Sequence, residues 1–181
     1  MPVAQQRLGG VPQQLGAADL YPSLERGTID AVEWLGPYDD EKLGFYKVAP
    51  NYYFPGWWEG GPMLVAMINL DKWNALPKYY QHVLEQAGHL ANNWMMARYD
   101  QANPVALKKL LAVGTKLRPF PSAVMEASFK AAKELHAEVA AGNANFKKVY
   151  DSLTSFSNNG YQWFQVAEVG YDNFMARHSQ V

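Results

Sequence analysis

The chain has 181 residues, 49% hydrophobic and 14% aromatic, with 16 Lys and Arg against 17 Asp and Glu for a formal net charge of -1. That length points to about one domain, and the flat charge balance argues against a nucleic-acid partner, which needs a basic excess or stripe. The absence of cysteine excludes disulfides, zinc-thiolate sites and thiol nucleophiles, while leaving the redox compartment open.

A compact chain of this size buries roughly 70% of its unfolded surface and needs no covalent staple. Six Trp, 11 Tyr and 8 Phe exceed what such a core requires, so some are expected to line a site or an interface. The opening Pro2-Val3-Ala4-Gln5-Gln6-Arg7-Leu8 has neither a basic nor an apolar signal region, so no signal peptide is expected within this chain. The apolar stretch 63–68 falls far short of the ~20 residues that span a bilayer, and the chain reads as soluble.

Gly9-Gly10 followed by residues 11–15 predicts a turn entering a short strand. Asp19 is placed to cap a brief helix over 20–26, with Pro22 early enough to be tolerated and Gly27 as the residue that stops it. Partial alternation over 29–34 predicts a strand ended by Gly36-Pro37, and Asp39 or Asp40 is expected to cap a short helix reaching Lys47. Residues 51–58 form an aromatic run broken by Pro55-Gly56. Gly60-Gly61-Pro62 then leads into 63–70, which suits a strand buried on both faces.

From Pro77 the period becomes helical. Tyr80, Val83, Leu84, Ala87, Leu90, Ala91, Trp94 and Met95 share a stripe; Asn103-Pro104 is expected to kink or restart the helix and Gly114 to end it. Residues 116–120 read as a short strand. Ser122 then opens a helix with Met125, Phe129, Ala132, Leu135 and Val139 inward, closing at Gly142. Asn143 or Asn145 opens the next, with Phe146, Val149, Tyr150, Leu153 and Phe156 inward, and Asn158-Asn159-Gly160 is expected to break it. The last helix is apolar on more than one face, through Tyr161, Phe164, Tyr171, Phe174 and Met175 on one side and Trp163 and Val166 on another; such a helix needs more than one packing surface. The front third offers too few strands for a sheet and no complete βαβ unit at its start. The chain is therefore expected to begin in the middle of a larger α/β fold.

Two segments could carry chemistry. Glu33-Trp34 stands at the end of a predicted strand beside a Gly-Pro turn, where open α/β sheets place ligands; the plain alternative is a surface Glu before a core Trp. Residues 52–62 set aromatics beside Glu59 and flexible glycines. That suits a pocket wall, although an aromatic core strand ending in a turn would look similar. Trp57 and Trp58 are adjacent and so face opposite sides of a strand. Glu33 and Glu59 could pair as glycosidase acid and base, but no second acidic motif supports this. His82, His89, His136 and His178 complete no metal-ligand pattern and read as structural or solvent-facing. No nucleophile elbow or phosphate loop occurs.

The segment Gly27-Thr28-Ile29-Asp30-Ala31-Val32-Glu33-Trp34, with the helix Asp19-Leu20-Tyr21-Pro22-Ser23-Leu24-Glu25-Arg26 before it, resembles the solute-binding proteins of tripartite ATP-independent periplasmic (TRAP) transporters, the DctP family. The stretch from Gly36-Pro37-Tyr38 to Val48-Ala49 and the later Trp57-Trp58-Glu59-Gly60-Gly61-Pro62 resemble the branch that binds 2-oxo and 2-hydroxy monocarboxylates such as pyruvate or lactate. Asn69-Leu70-Asp71-Lys72-Trp73-Asn74-Ala75-Leu76-Pro77 is similar to that family's entry into its helical half.

The resemblance implies a periplasmic binding protein-like α/β fold of two lobes with the ligand between them. This chain would correspond to the incomplete, helix-rich C-terminal half with a few short strands. Residues 1–62 would be the remainder of the second lobe with ligand and metal residues, and 63–181 a crossing strand and the helical C-terminal part. It implies a bound Na⁺ or Ca²⁺ held by Glu33 and the Trp34 carbonyl and bridging to the substrate carboxylate, with Trp34, Trp58 and Glu59 near the substrate. A glutamate facing a substrate carboxylate needs such a cation, because like charges in a dry cleft repel. The family's substrate-clamping arginine lies upstream of this chain's start, and Arg7 does not take its role. The implied partners are a small monocarboxylate, the TRAP membrane permease subunits and a second copy bound through the last helix. The family works in the periplasm and breaks no bond. A carbohydrate-binding or interaction module, with residues 52–58 as an aromatic platform, is the competing reading.

Overall fold

The computed structural model describes residues 2–57, 60–61 and 64–179. The chain divides into two compact units, Pro12–Met125 on the one hand and Met1–Val11 with Glu126–Val181 on the other.

In the first unit α2 (Ala17–Glu25) starts at Gly16, and Asp19 sits inside its first turn, where a carboxylate favours the positive end of the helix dipole. The helix stops as expected at Gly27, whose φ of 68° places it in the left-handed region that glycine enters without steric strain. Gly44, at φ 75°, does the same after α3 (Pro37–Leu43) and turns the chain so that Phe45 enters the core. Leu20, Leu24 and Phe45 form that core, with Ile29, Val32 and Trp34 packed on it.

Strand β1 (Asn51–Phe54) pairs in parallel with β2 (Lys116–Pro119), Asn51 opposite Lys116 and Phe54 opposite Pro119. Between them run α4 (Leu70–Ala75), capped by the Asn69 side chain, and α5 (Lys78–Ala112), whose 35 residues continue through Pro104. The helix does not restart at Asn103-Pro104. Ala102, Ala106 and Leu110 are buried on either side of the proline, and that packing offsets the loss of one backbone donor.

The strands expected at 11–15, 29–34 and 63–70 are absent among the described residues. A strand exists only through the ladder of a neighbour, and the described ladder belongs to β1 and β2 alone. Residues 64–69 have no regular structure, and Met67 is 91% exposed where a doubly buried strand was expected. The stripe on the first half of α5 is likewise exposed at Tyr80, Val83, Leu84, Leu90 and Trp94. Periodicity identifies residues that share a face, and does not supply the surface that covers it.

In the second unit α1 (Pro2–Arg7) is tied to α6 (Ser122–Gly142) by Arg7, which pairs with Glu138 at 2.5 Å and Glu134 at 3.9 Å. Asn143 caps α7 (Ala144–Phe164) by accepting the Phe146 N–H at 2.9 Å. The expected break at Asn158-Asn159-Gly160 does not occur. A glycine inside a helix costs about 1 kcal/mol and is tolerated there. The irregularity falls later, as a π turn over Gln165–Val169, before α8 (Gly170–His178). Val149, Leu153 and Phe156, expected inward, are exposed, and so are Tyr161, Trp163, Tyr171 and Phe174.

Candidate functional site

Glu33 and Trp34 lie in the segment between α2 and α3. Glu33 is exposed, and Trp34 is half-buried with its indole packed on the Leu20, Leu24 and Phe45 cluster. The side chain of Trp34 is thus rooted in the core while its neighbour reaches the surface. Its main-chain carbonyl accepts no main-chain hydrogen bond from any described residue.

One buried carboxylate organises this segment. Asp40, in the middle of α3, is 8% exposed. Its Oδ1 accepts the Leu35 N–H at 3.4 Å, and its Oδ2 accepts the Tyr52 hydroxyl at 2.5 Å. Burial pushes the Asp40 carboxyl above the usual aspartate range, and these hydrogen bonds only partly oppose it. Burial and then the bond to Asp40 push Tyr52 far up, so Tyr52 remains a donor. The sequence marks Asp40 only as a candidate helix cap. It lies one turn from Pro37 and Leu43, but Leu43 is itself exposed, so this spacing does not signal the burial of Asp40.

Helix α3 is fastened in turn to α5. Asn103 Oδ1 accepts the Tyr38 N–H at 3.0 Å, satisfying a donor that the start of the helix leaves open. Tyr99 donates its hydroxyl to Asp39 at 2.7 Å, which raises the Tyr99 phenol. Lys42 and Arg98 flank Tyr38 and lower its phenol. A shallow pocket of about 160 Å³ opens here, lined in part by Tyr38, Glu41, Arg98, Gln101 and Lys109; neither Glu33 nor Trp34 lines it.

Of the sequence-predicted site residues, the structure places Glu33 and Trp34 side by side, while Trp58 and Glu59 lie outside the described residues. Trp57 is half-buried beyond the end of β1. Among the described residues no group of three or more His, Cys, Asp or Glu could hold a metal ion. A cation here would need main-chain or ligand oxygens besides one carboxylate, a donor set that suits a hard ion. His136 lies against the rings of Tyr150 and Phe146, and His82, His89 and His178 are exposed. Tyr52 gives its hydroxyl to Asp40 while Tyr53 lies 5.2 Å from the Phe120 ring, so these two rings do not share one platform.

Residues 3–143 match the model of the family described as bacterial extracellular solute-binding protein, family 7 (DctP). A monocarboxylate 2-oxoacid-binding periplasmic protein from a Nostoc species is 46% identical over 168 residues, covering 93% of this chain and 46% of that protein. A TRAP solute-binding protein from Bordetella bronchiseptica superposes with a TM-score of 0.93 at 47% identity, over 97% of this chain and 54% of its own. Its crystals hold a mixed-occupancy dimer, with copurified calcium and picolinate in one active site and an apo site beside it.

Two further TRAP proteins, each 35% identical and matched over 95% of this chain and 53% of theirs, carry pyruvate. The one from Colwellia psychrerythraea has calcium with it (TM-score 0.91), and the one from Pseudoalteromonas atlantica has sodium (TM-score 0.90). The chain spans about half the length of these relatives. Its fold is that of part of a TRAP periplasmic binding protein, mostly helical with two short parallel strands. The chain belongs to the family 7 (DctP) bacterial extracellular solute-binding proteins.

Proposed function

We propose that this chain supplies the cation-binding part of a periplasmic TRAP solute-binding protein for a small 2-oxo or 2-hydroxy monocarboxylate. The observation that carries the reading is the placement of Glu33, a surface carboxylate beside an indole anchored in the core, within the Gly27-to-Trp34 motif. The Glu33 carboxylate and the Trp34 carbonyl would hold Na⁺ or Ca²⁺, and the ion would neutralise the repulsion between Glu33 and the substrate carboxylate. Trp34, Trp58 and Glu59 would stand near the substrate. The relatives that carry pyruvate with calcium or sodium support this assignment.

Such a protein binds and delivers without catalysis, and its partners are the TRAP permease subunits. A second copy bound through the exposed apolar residues of α7 and α8 would form a homodimer. The Bordetella dimer supports this only in outline.

Calorimetry with pyruvate, lactate and 2-oxobutyrate tests the reading, with and without Na⁺ and Ca²⁺. The sample is this chain joined to the part of the Bordetella protein that it does not cover. Heat that requires the cation and vanishes in Glu33→Gln is expected. Cation-independent heat with oligosaccharides alone would overturn it in favour of a carbohydrate module.

A further inference from the structure

We propose that Asp40 is a positioning residue that aims the Trp34 carbonyl at the cation; this rests on the reading of Glu33 and Trp34 as cation ligands. A buried carboxylate requires compensation, and the partners of Asp40 come from outside its own helix. They are the Leu35 N–H and the adjacent Gly36 N–H, in the segment that carries Glu33 and Trp34, and the Tyr52 hydroxyl on β1. The Leu35 N–H and the Trp34 C=O belong to one peptide unit, which is planar and trans. In a trans peptide the two bonds point in opposite directions. Holding the N–H on Asp40 therefore turns the Trp34 carbonyl oxygen away from Asp40.

The same bond has an electronic consequence. A donor engaged by a carboxylate polarises its amide, and the carbonyl at the other end becomes a better ligand for a hard cation. Asp40 can perform this only because it is itself fixed. Tyr52 holds its other oxygen, and Asn103 and Tyr99 bind α3 to α5. The Trp34 indole in the core stops the segment from rolling. The peptide is thus held from both sides.

The experiment uses a feature of the sequence: Trp followed by Leu occurs once, at Trp34-Leu35. Trp carbonyls are labelled with ¹³C and Leu amides with ¹⁵N in this chain, which is ligated to the unlabelled remainder of the Bordetella protein so that this peptide gives a single correlated signal. Ca²⁺ is titrated in the presence of pyruvate while that signal is followed. In the unsubstituted chain the carbonyl shift is expected to move and saturate, and Glu33→Gln is expected to abolish the movement. Asp40→Ala is expected to raise the Ca²⁺ midpoint about 10–100-fold, the range for residues that orient metal ligands. Asp40→Asn keeps an acceptor oxygen for Leu35 and is expected to restore the midpoint to within about threefold.

If Asp40→Ala does not fold, Tyr52→Phe takes its place, removing one hydroxyl and leaving the Leu35 bond. Its midpoint is expected to rise by less than that range. A midpoint unchanged in the folded variant, with Glu33→Gln still silent, overturns the role of Asp40 and leaves the cation site standing. A carbonyl signal in the unsubstituted chain that ignores Ca²⁺ overturns both.

Discussion

The segment from α2 to β1 and the helices α7 and α8 use apolar and polar residues in opposite ways. In the first, a few apolar side chains close around Phe45, and a buried carboxylate gathers donors from two separate segments. In the second, many large apolar residues stand exposed along one helical run, and polar contacts such as Lys147 with Asp151 lie on the surface. The lesson is that apolar content does not measure how firmly a region is held. Connection between elements distant in sequence does.

The largest test of this contrast is a pair of truncations. Phe45→Ala, at a side chain 7% exposed, is expected to destabilise by about 3–5 kcal/mol in urea unfolding. Phe156→Ala, at 79% exposed, is expected to stay within about 0.5 kcal/mol although the side chain is the same. Equal losses at the two positions would erase the distinction. Asn103→Ala, which frees the Tyr38 N–H, is expected to cost about 1 kcal/mol. The same chemical denaturation measures it.

Two carboxylates give the contrast a sign. Burial raises the Asp40 pKa, so the folded chain retains a proton that the unfolded chain has released. The contribution of Asp40 to stability is therefore full below the ordinary aspartate value of about 4 and is lost as pH rises through the higher folded value. Glu138 is exposed, and the bond from Arg7 lowers its pKa. Its contribution is present above the ordinary glutamate value and is lost as pH falls through the lowered one. Asp40→Asn should remove the decline on the alkaline side of that range, and Glu138→Gln the decline on the acid side, in thermal melts across pH. The smallest expected effect is that of Arg7→Ala at 1 M salt, where a screened surface pair contributes nothing measurable.

Features of the fold that depend on a few neighbouring residues were legible in the sequence. Gly27 and Gly114 end their helices and Asn143 caps the next. Features that depend on a distant partner were not. Residues 29–34 and 64–69 have strand-like composition but no described ladder, and the exposed stripe on α5 looks in sequence like a buried one. For the site, Glu33 and Trp34 stood out by motif. The contacts of Asp40 with Leu35 and Tyr52 and of Asn103 with Tyr38 did not, because they span intervals that no period encodes.

The π turn at Gln165–Val169 changes what the terminal helical run can present. A π turn accommodates one residue more than the α-helical pitch, and one residue of phase is about 100° of rotation. Tyr161 and Phe164 before it and Tyr171 and Phe174 after it therefore sit on bearings offset by roughly a quarter turn from those of an unbroken α-helix. A helical wheel drawn at constant pitch from 144 to 178 mis-sorts everything beyond the turn. The register shift works as a gear in the rod, letting one continuous helix address two directions without a loop between them.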